Sequence, residues 1–192
     1  SLMWMMPPHP VWMNPAMMAP FMGILPDVEP FMPGWELDIM TLPVARAPEV
    51  VELADGDTLT LHASILHGMV GSRMLKVYGF NGQFPGPTLR VAQDATITVE
   101  FTNNIDFATT LRWHGVRLDN EFDGVPGQTQ RPVRVGDTYT AQVTFPDAGA
   151  FWYHPHQRGY IAQDLGLYGA IIVDSPDPDY YAPANSEEVL IL

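Results

Sequence analysis

At 192 residues the chain has room for about one domain, enough to bury roughly 70% of its unfolded surface in a single core. Nine Lys and Arg against 22 Asp and Glu give a net charge of -13, a field that repels phosphate backbones and anionic lipid and argues against nucleic acid as a partner. Cysteine is absent, which removes disulfides, thiolate metal sites and Cys nucleophiles, and no run of 18 apolar residues is available to span a bilayer.

Residues 1–48 stand apart as a Met/Pro-rich N-terminal arm holding nine of the 11 Met and ten of the 19 Pro. Prolines at this density forbid a long helix or a central strand and favour extended pieces. Met, Trp4, Trp12, Phe21, Phe31 and Trp35 are too apolar for a solvated linker, so the arm is expected to bury side chains against the sandwich or a neighbouring subunit. Its thioethers also form, with His9, a set of soft ligands of the kind Cu(I) takes; packing and metal binding both fit the composition.

From Glu49 the chain reads as short strands with turn signals every eight to twelve residues, the pattern of a β-sandwich. Leu59, Leu61, Ala63 and Ile65 alternate with polar residues, as do Ile97, Val99 and Phe101, and Tyr139, Ala141, Val143 and Phe145; each set predicts a half-buried strand. Breaks fall at Asp55-Gly56, Asn81-Gly82, Pro85-Gly86-Pro87, Asn103-Asn104, Asp123-Gly124, Gly136-Asp137 and Pro146-Asp147-Ala148-Gly149. Tyr160 to Leu165 predicts one or two helical turns ended by Gly166, followed by an apolar strand over Ala170 to Val173. A proline and acid linker over 174–179 leads to Glu187 to Leu192, which predicts the first strand of a second domain. The expected division is 1–48 arm, 49–175 sandwich and 176–192 linker with the start of that domain, as in a fragment of a larger protein.

Two motifs carry chemistry: Trp152-Tyr153-His154-Pro155-His156 and, about forty residues earlier, Arg112-Trp113-His114-Gly115. Residues two apart in a strand share a face with Cα atoms roughly 6.5–7 Å apart, so His154 and His156 are expected side by side as a metal-ligand pair. Pro155 suits a strand end, and His114 supplies a third imidazole. Three histidines, no Cys and a nearby carboxylate suit copper or zinc equally, including a mononuclear three-histidine zinc site of hydrolase type. His62 and His67 read as surface histidines and Leu167 and Tyr168 as core. Trp113, Trp152 and Tyr153 read as packing that fixes imidazole orientation. Gln163 and Asp164, on the short helix, are candidates to hydrogen-bond a ligand imidazole.

These motifs, with Val77-Tyr78-Gly79-Phe80-Asn81-Gly82-Gln83-Phe84-Pro85-Gly86-Pro87 before them and Gly166-Leu167-Tyr168-Gly169 after, resemble the first cupredoxin domain of the laccase-like multicopper oxidases over roughly residues 75–175. The resemblance implies an all-β Greek-key sandwich of the cupredoxin type that gives histidines to a trinuclear copper centre reducing O2 to water while phenols or metal ions are oxidised. It implies that His114 and His154 are ligands of one type 3 copper, that His156 is a ligand of the other, and that Asp123 assists proton delivery. Arg112 stands where the family has its type 2 copper histidine, and a guanidinium has no lone pair for a metal. The type 1 site, which needs a Cys, is not in this chain, so downstream cupredoxin domains or another chain would complete the cluster and the chain alone is expected to be inactive. Arg112 leaves open a third reading, a cupredoxin-like binding or assembly domain with a decayed copper site. The family also implies an extracellular or periplasmic location, on which the sequence, without a signal peptide, is silent.

Overall fold

The structure, a computed structural model, describes Gly34 and residues 36–191. Among the described residues nine strands form two sheets. The four-stranded sheet is built from β2 (Thr58–Val70), β3 (Arg73–Phe80), β5 (Thr96–Asn104) and β7 (Thr138–Thr144), in the order β3-β2-β5-β7. The five-stranded sheet contains β1 (Val50–Leu53), β4 (Thr88–Ala92), β6 (Arg112–His114), β8 (Gly149–His154) and β9 (Gly169–Asp174), in the order β1-β4-β9-β8-β6. The chain crosses between sheets at β1–β2, β3–β4, β4–β5, β5–β6, β6–β7 and β7–β8, which makes β2–β5 and β4–β9 parallel neighbours.

The period-2 pattern places the core where the sequence predicts it. Leu59, Leu61 and Ala63 on β2, Ile97, Val99 and Phe101 on β5, and Ala141 and Val143 on β7 are buried, while the intervening Thr and Glu residues face water or the sheet edge. Leu89 and Val91 on β4, Ile171 and Val173 on β9, and Tyr153 on β8 close the core from the other side. The Tyr153 ring lies 5.2 Å from Phe80 and 5.9 Å from Trp113, and its hydroxyl donates to the Pro87 carbonyl at 2.7 Å. A buried phenol therefore has its hydrogen bond, as burial requires.

Among the described residues a single α-helix, α1 (Gly159–Asp164), follows β8. Its end is a Schellman turn: Gly166 N–H donates to the Gln163 carbonyl and Leu167 N–H to that of Ala162, both at 2.8 Å. Gly166 takes φ +99°, open to glycine, and a Cβ there would meet the Phe84 ring at 1.9 Å.

Two sequence expectations concern the ends of the chain. Residues 187–191 form no strand, and Leu190 is 78% exposed. The segment is tied to β4 by the Arg90–Glu187 ion pair at 3.7 Å. Within the arm, most of residues 1–35 lies outside the described residues, and with it His9 and every expected arm contact of Met3 to Met32. Residues 36–48 are ordered by backbone rather than by apolar burial. Met40 and Val44 stay largely exposed, while Ala45 N–H donates to the His67 carbonyl, His67 N–H to that of Pro43, and Phe84 N–H to that of Arg46.

Leu61, with no exposed surface, tests the core. Leu61→Ala is expected to cost about 2–5 kcal/mol in urea unfolding, whereas Thr60→Ala on the exposed side of the same strand should stay within about 0.5 kcal/mol.

Candidate metal centre

The site is built on the ladder between β6 and β8, where Arg112 pairs with His154, Trp113 with Tyr153 and His114 with Trp152. Alternation sends Trp113 and Tyr153 into the core and leaves Arg112, His114, Trp152 and His154 together on the other face. Trp152 stacks on both imidazoles, 4.0 Å from the His154 ring at 25° and 5.0 Å from the His114 ring at 28°. His114 Nδ1 and His154 Nε2 then face each other at 3.1 Å. That separation allows either an imidazole–imidazole hydrogen bond or two nitrogens each about 2.0–2.1 Å from one ion.

His154 is buried, and its Nδ1 lies 2.9 Å from the Pro155 carbonyl and 2.8 Å from Gln163 Nε2 on α1. The first contact needs Nδ1 to donate and the second needs it to accept, so the two define alternative tautomers. With Nδ1 accepting from Gln163, the His154 proton sits on Nε2 and bonds His114. With Nδ1–H on the Pro155 carbonyl, Nε2 offers a lone pair, the form a metal takes, and the Gln163 amide must turn its oxygen inward. Burial pushes the His154 pKa down from 6.5 to about 4, the Pro155 carbonyl opposes that, and charge at His114, His156 and Arg112 adds to it. His154 is therefore neutral at pH 7.

His156 lies two residues beyond His154, past the end of the strand. Strand β8 ends at His154; Pro155 has no N–H to extend the ladder, and the chain turns away towards α1. His156 is exposed, with its N–H on Thr110 Oγ1 at 3.3 Å, and His114 faces His154 across the ladder. Among the described residues no three of His, Cys, Asp and Glu gather as one metal-binding group, which leaves the three-histidine zinc reading without its ligand set.

Arg112 NH1 donates to Asp123 Oδ2 at 3.2 Å, and both side chains are about three-quarters buried. A 3-10 turn over Asn120–Phe122 delivers Asp123, and Gly124 presses the turn onto the start of β6: at φ +73° its Cβ would sit 2.0 Å from the Leu111 carbonyl oxygen. The sequence singled out Arg112 and Asp123 separately and missed their pairing, for which the ten intervening residues give no signal. The Thr110 contact was equally invisible. Of the two helix candidates, Gln163 reaches His154, while Asp164 is exposed.

Two outcomes are expected. Because unfolded His154 binds a proton near pH 6.5 and folded His154 only near pH 4, its contribution to stability is full above pH 6.5 and lost as pH falls through that window. Urea midpoints measured from pH 4 to 7 should fall towards acid, with a shallower fall in His154→Asn. Gly124→Ala should cost more than about 2 kcal/mol by urea unfolding, through its clash with the Leu111 carbonyl and the strained φ.

The multicopper oxidase family profile matches residues 66–178. Copper resistance protein A of Escherichia coli is 32% identical over 153 residues, covering 80% of this chain and 24% of that protein. Laccase-1 of Emericella nidulans is 43% identical over 95 residues, covering 48% of this chain and 15% of that one. The crystal structure of a multi-copper oxidase from Pseudomonas thermotolerans aligns with a TM-score of 0.61 at 35% identity, over 67% of this chain and 31% of that one. The chain thus spans a quarter or less of the length of these two curated relatives.

Proposed function

The chain belongs to the multicopper oxidase family, and on that premise we propose that it is the first cupredoxin domain of a laccase-like enzyme, contributing His114, His154 and His156 to a copper cluster that downstream cupredoxin domains or another chain complete. The observation that carries this reading is the facing pair His114 Nδ1 and His154 Nε2, 3.1 Å apart and held by a shared indole. In it, His114 and His154 would hold one ion of a type 3 pair and His156 would serve the other. Copper supplies the redox chemistry, reduction of O2 to water coupled to oxidation of a small reducing substrate such as a phenol or a metal ion. The chain's own residues orient and desolvate: Trp152 fixes both imidazoles, the Pro155 carbonyl favours the His154 tautomer with a free Nε2 lone pair, and burial keeps His154 neutral and ready to ligate. Asp123, its carboxylate positioned by Arg112, assists proton delivery to the cluster.

Arg112 cannot replace a histidine ligand, and its fixed charge opposes a divalent cation at the type 2 position. That guanidinium favours a second reading, a cupredoxin-like binding or assembly domain that holds no copper. An extracellular or periplasmic location belongs to the first reading; among the described residues no helix is long and apolar enough to cross a membrane.

The test measures bound copper and O2 uptake with a phenol or Cu(I). The 192-residue chain is expected to give no turnover. Joined to downstream cupredoxin domains of the family, an Arg112→His version should retain copper and turn over, and His154→Ala in that protein should lose both. Turnover by the 192-residue chain alone overturns the first reading, and a joined, restored protein that retains no copper favours the second.

A further inference from the structure

At the far end of the β2–β3 hairpin, on the four-stranded sheet, Met69 and Met74 are directly opposed, and His67 precedes Met69 by two residues on the same strand. Alternation therefore puts one imidazole and two thioethers on a single face. Directly opposed Cβ atoms lie about 4.5–5.5 Å apart and diagonal ones about 7–8 Å, within reach of unbranched Met side chains converging on one point. Both Met side chains are substantially exposed, at 60% and 43%, so packing does not account for them.

His67 supplies the second observation. Its backbone is tied to Pro43 and Ala45, its side chain is half-buried, and its Nδ1 is buried with no hydrogen-bond partner. An imidazole nitrogen in that state lacks a ligand that burial normally requires. Beside it runs a cleft of about 380 Å³ lined by His67, Met69 and Met74, with Val44, Arg46 and Phe84 as walls. The two cations nearby are already engaged: the Arg46 guanidinium bonds Glu49 and the Asn81 carbonyl, and the Lys76 ammonium, opposite His67 in the ladder, bonds the Leu37 carbonyl.

We propose that His67, Met69 and Met74 form a binding site for a soft monovalent cation, Cu(I) or Ag(I). The donor set is neutral and soft, which selects such ions over Mg(II) or Ca(II), and a single charge is opposed less than a double one by Arg46 and Lys76. The site is independent of His114 and His154, which lie on the other sheet.

The nine other Met residues are also soft ligands, so the test must resolve positions. The 192-residue chain, labelled with 13C at Met methyls and 15N in His rings, is titrated with Ag(I) in chloride-free buffer. Expected is a joint shift of the Met69 and Met74 methyls and the His67 ring that saturates at one ion. The conservative double variant Met69→Leu, Met74→Leu should weaken the His67 response by at least about tenfold, and His67→Gln should weaken the methyl response likewise. A His67 ring that does not move while Met methyls do, or a His67 shift undiminished in the double variant, overturns the proposal. Cu(I) competition against a chromophoric chelator should show the same loss in both variants; affinity unchanged in both would count against the site.

Discussion

The arrangement depends on the register between two very short segments, three residues of β6 against the end of β8. Because successive side chains in a strand point to opposite faces, this register decides at once which aromatic residues enter the core and which imidazoles leave it. A slip by one residue would send Arg112 and His114 into the space that Trp113 fills and push the indole into water. The burial of Trp113 and Tyr153, with the Tyr153–Pro87 hydrogen bond behind them, is thus what holds His114 opposite Trp152. The polar face is positioned by the energetics of the apolar one.

On that polar face Trp152 fills the gap between strands so that two imidazoles stack on one indole. Stacking limits ring rotation, and burial of His154 removes the charged form that would repel a cation. Arg112, opposite His154 in the ladder, is paired with Asp123, so in the proposed function that carboxylate is held by a guanidinium.

The sandwich was legible in the sequence wherever a strand has one wet face, as in β2, β5 and β7, because alternation is then unambiguous. The helix was legible from Gly166. The resemblance in the motifs around His114 and His154 supplied the cupredoxin type, which alternation alone does not select. What escaped involves non-local pairing or a local break. Strand alternation does not carry on to His156, because β8 ends at His154. Glu187 to Leu192 has the apolar content of a strand, but a strand also needs an edge to join. The Arg112–Asp123 and His156–Thr110 contacts come from loops brought beside the ladder, a placement no spacing rule encodes.

Helix α1 has fewer than two turns, yet it carries Gln163 to His154, and it is pinned at both ends: by the turn after Pro155 at its start and by the Schellman turn at Gly166 at its finish. Each residue of a helix advances the side-chain direction by about 100°. One residue inserted or removed between Pro155 and Gly166 would swing the Gln163 amide to a different side of the helix axis even if every neighbouring side chain kept its identity. The segment therefore accepts changes of residue type far more readily than changes of length, and its length works as a phase lock on the imidazole it touches.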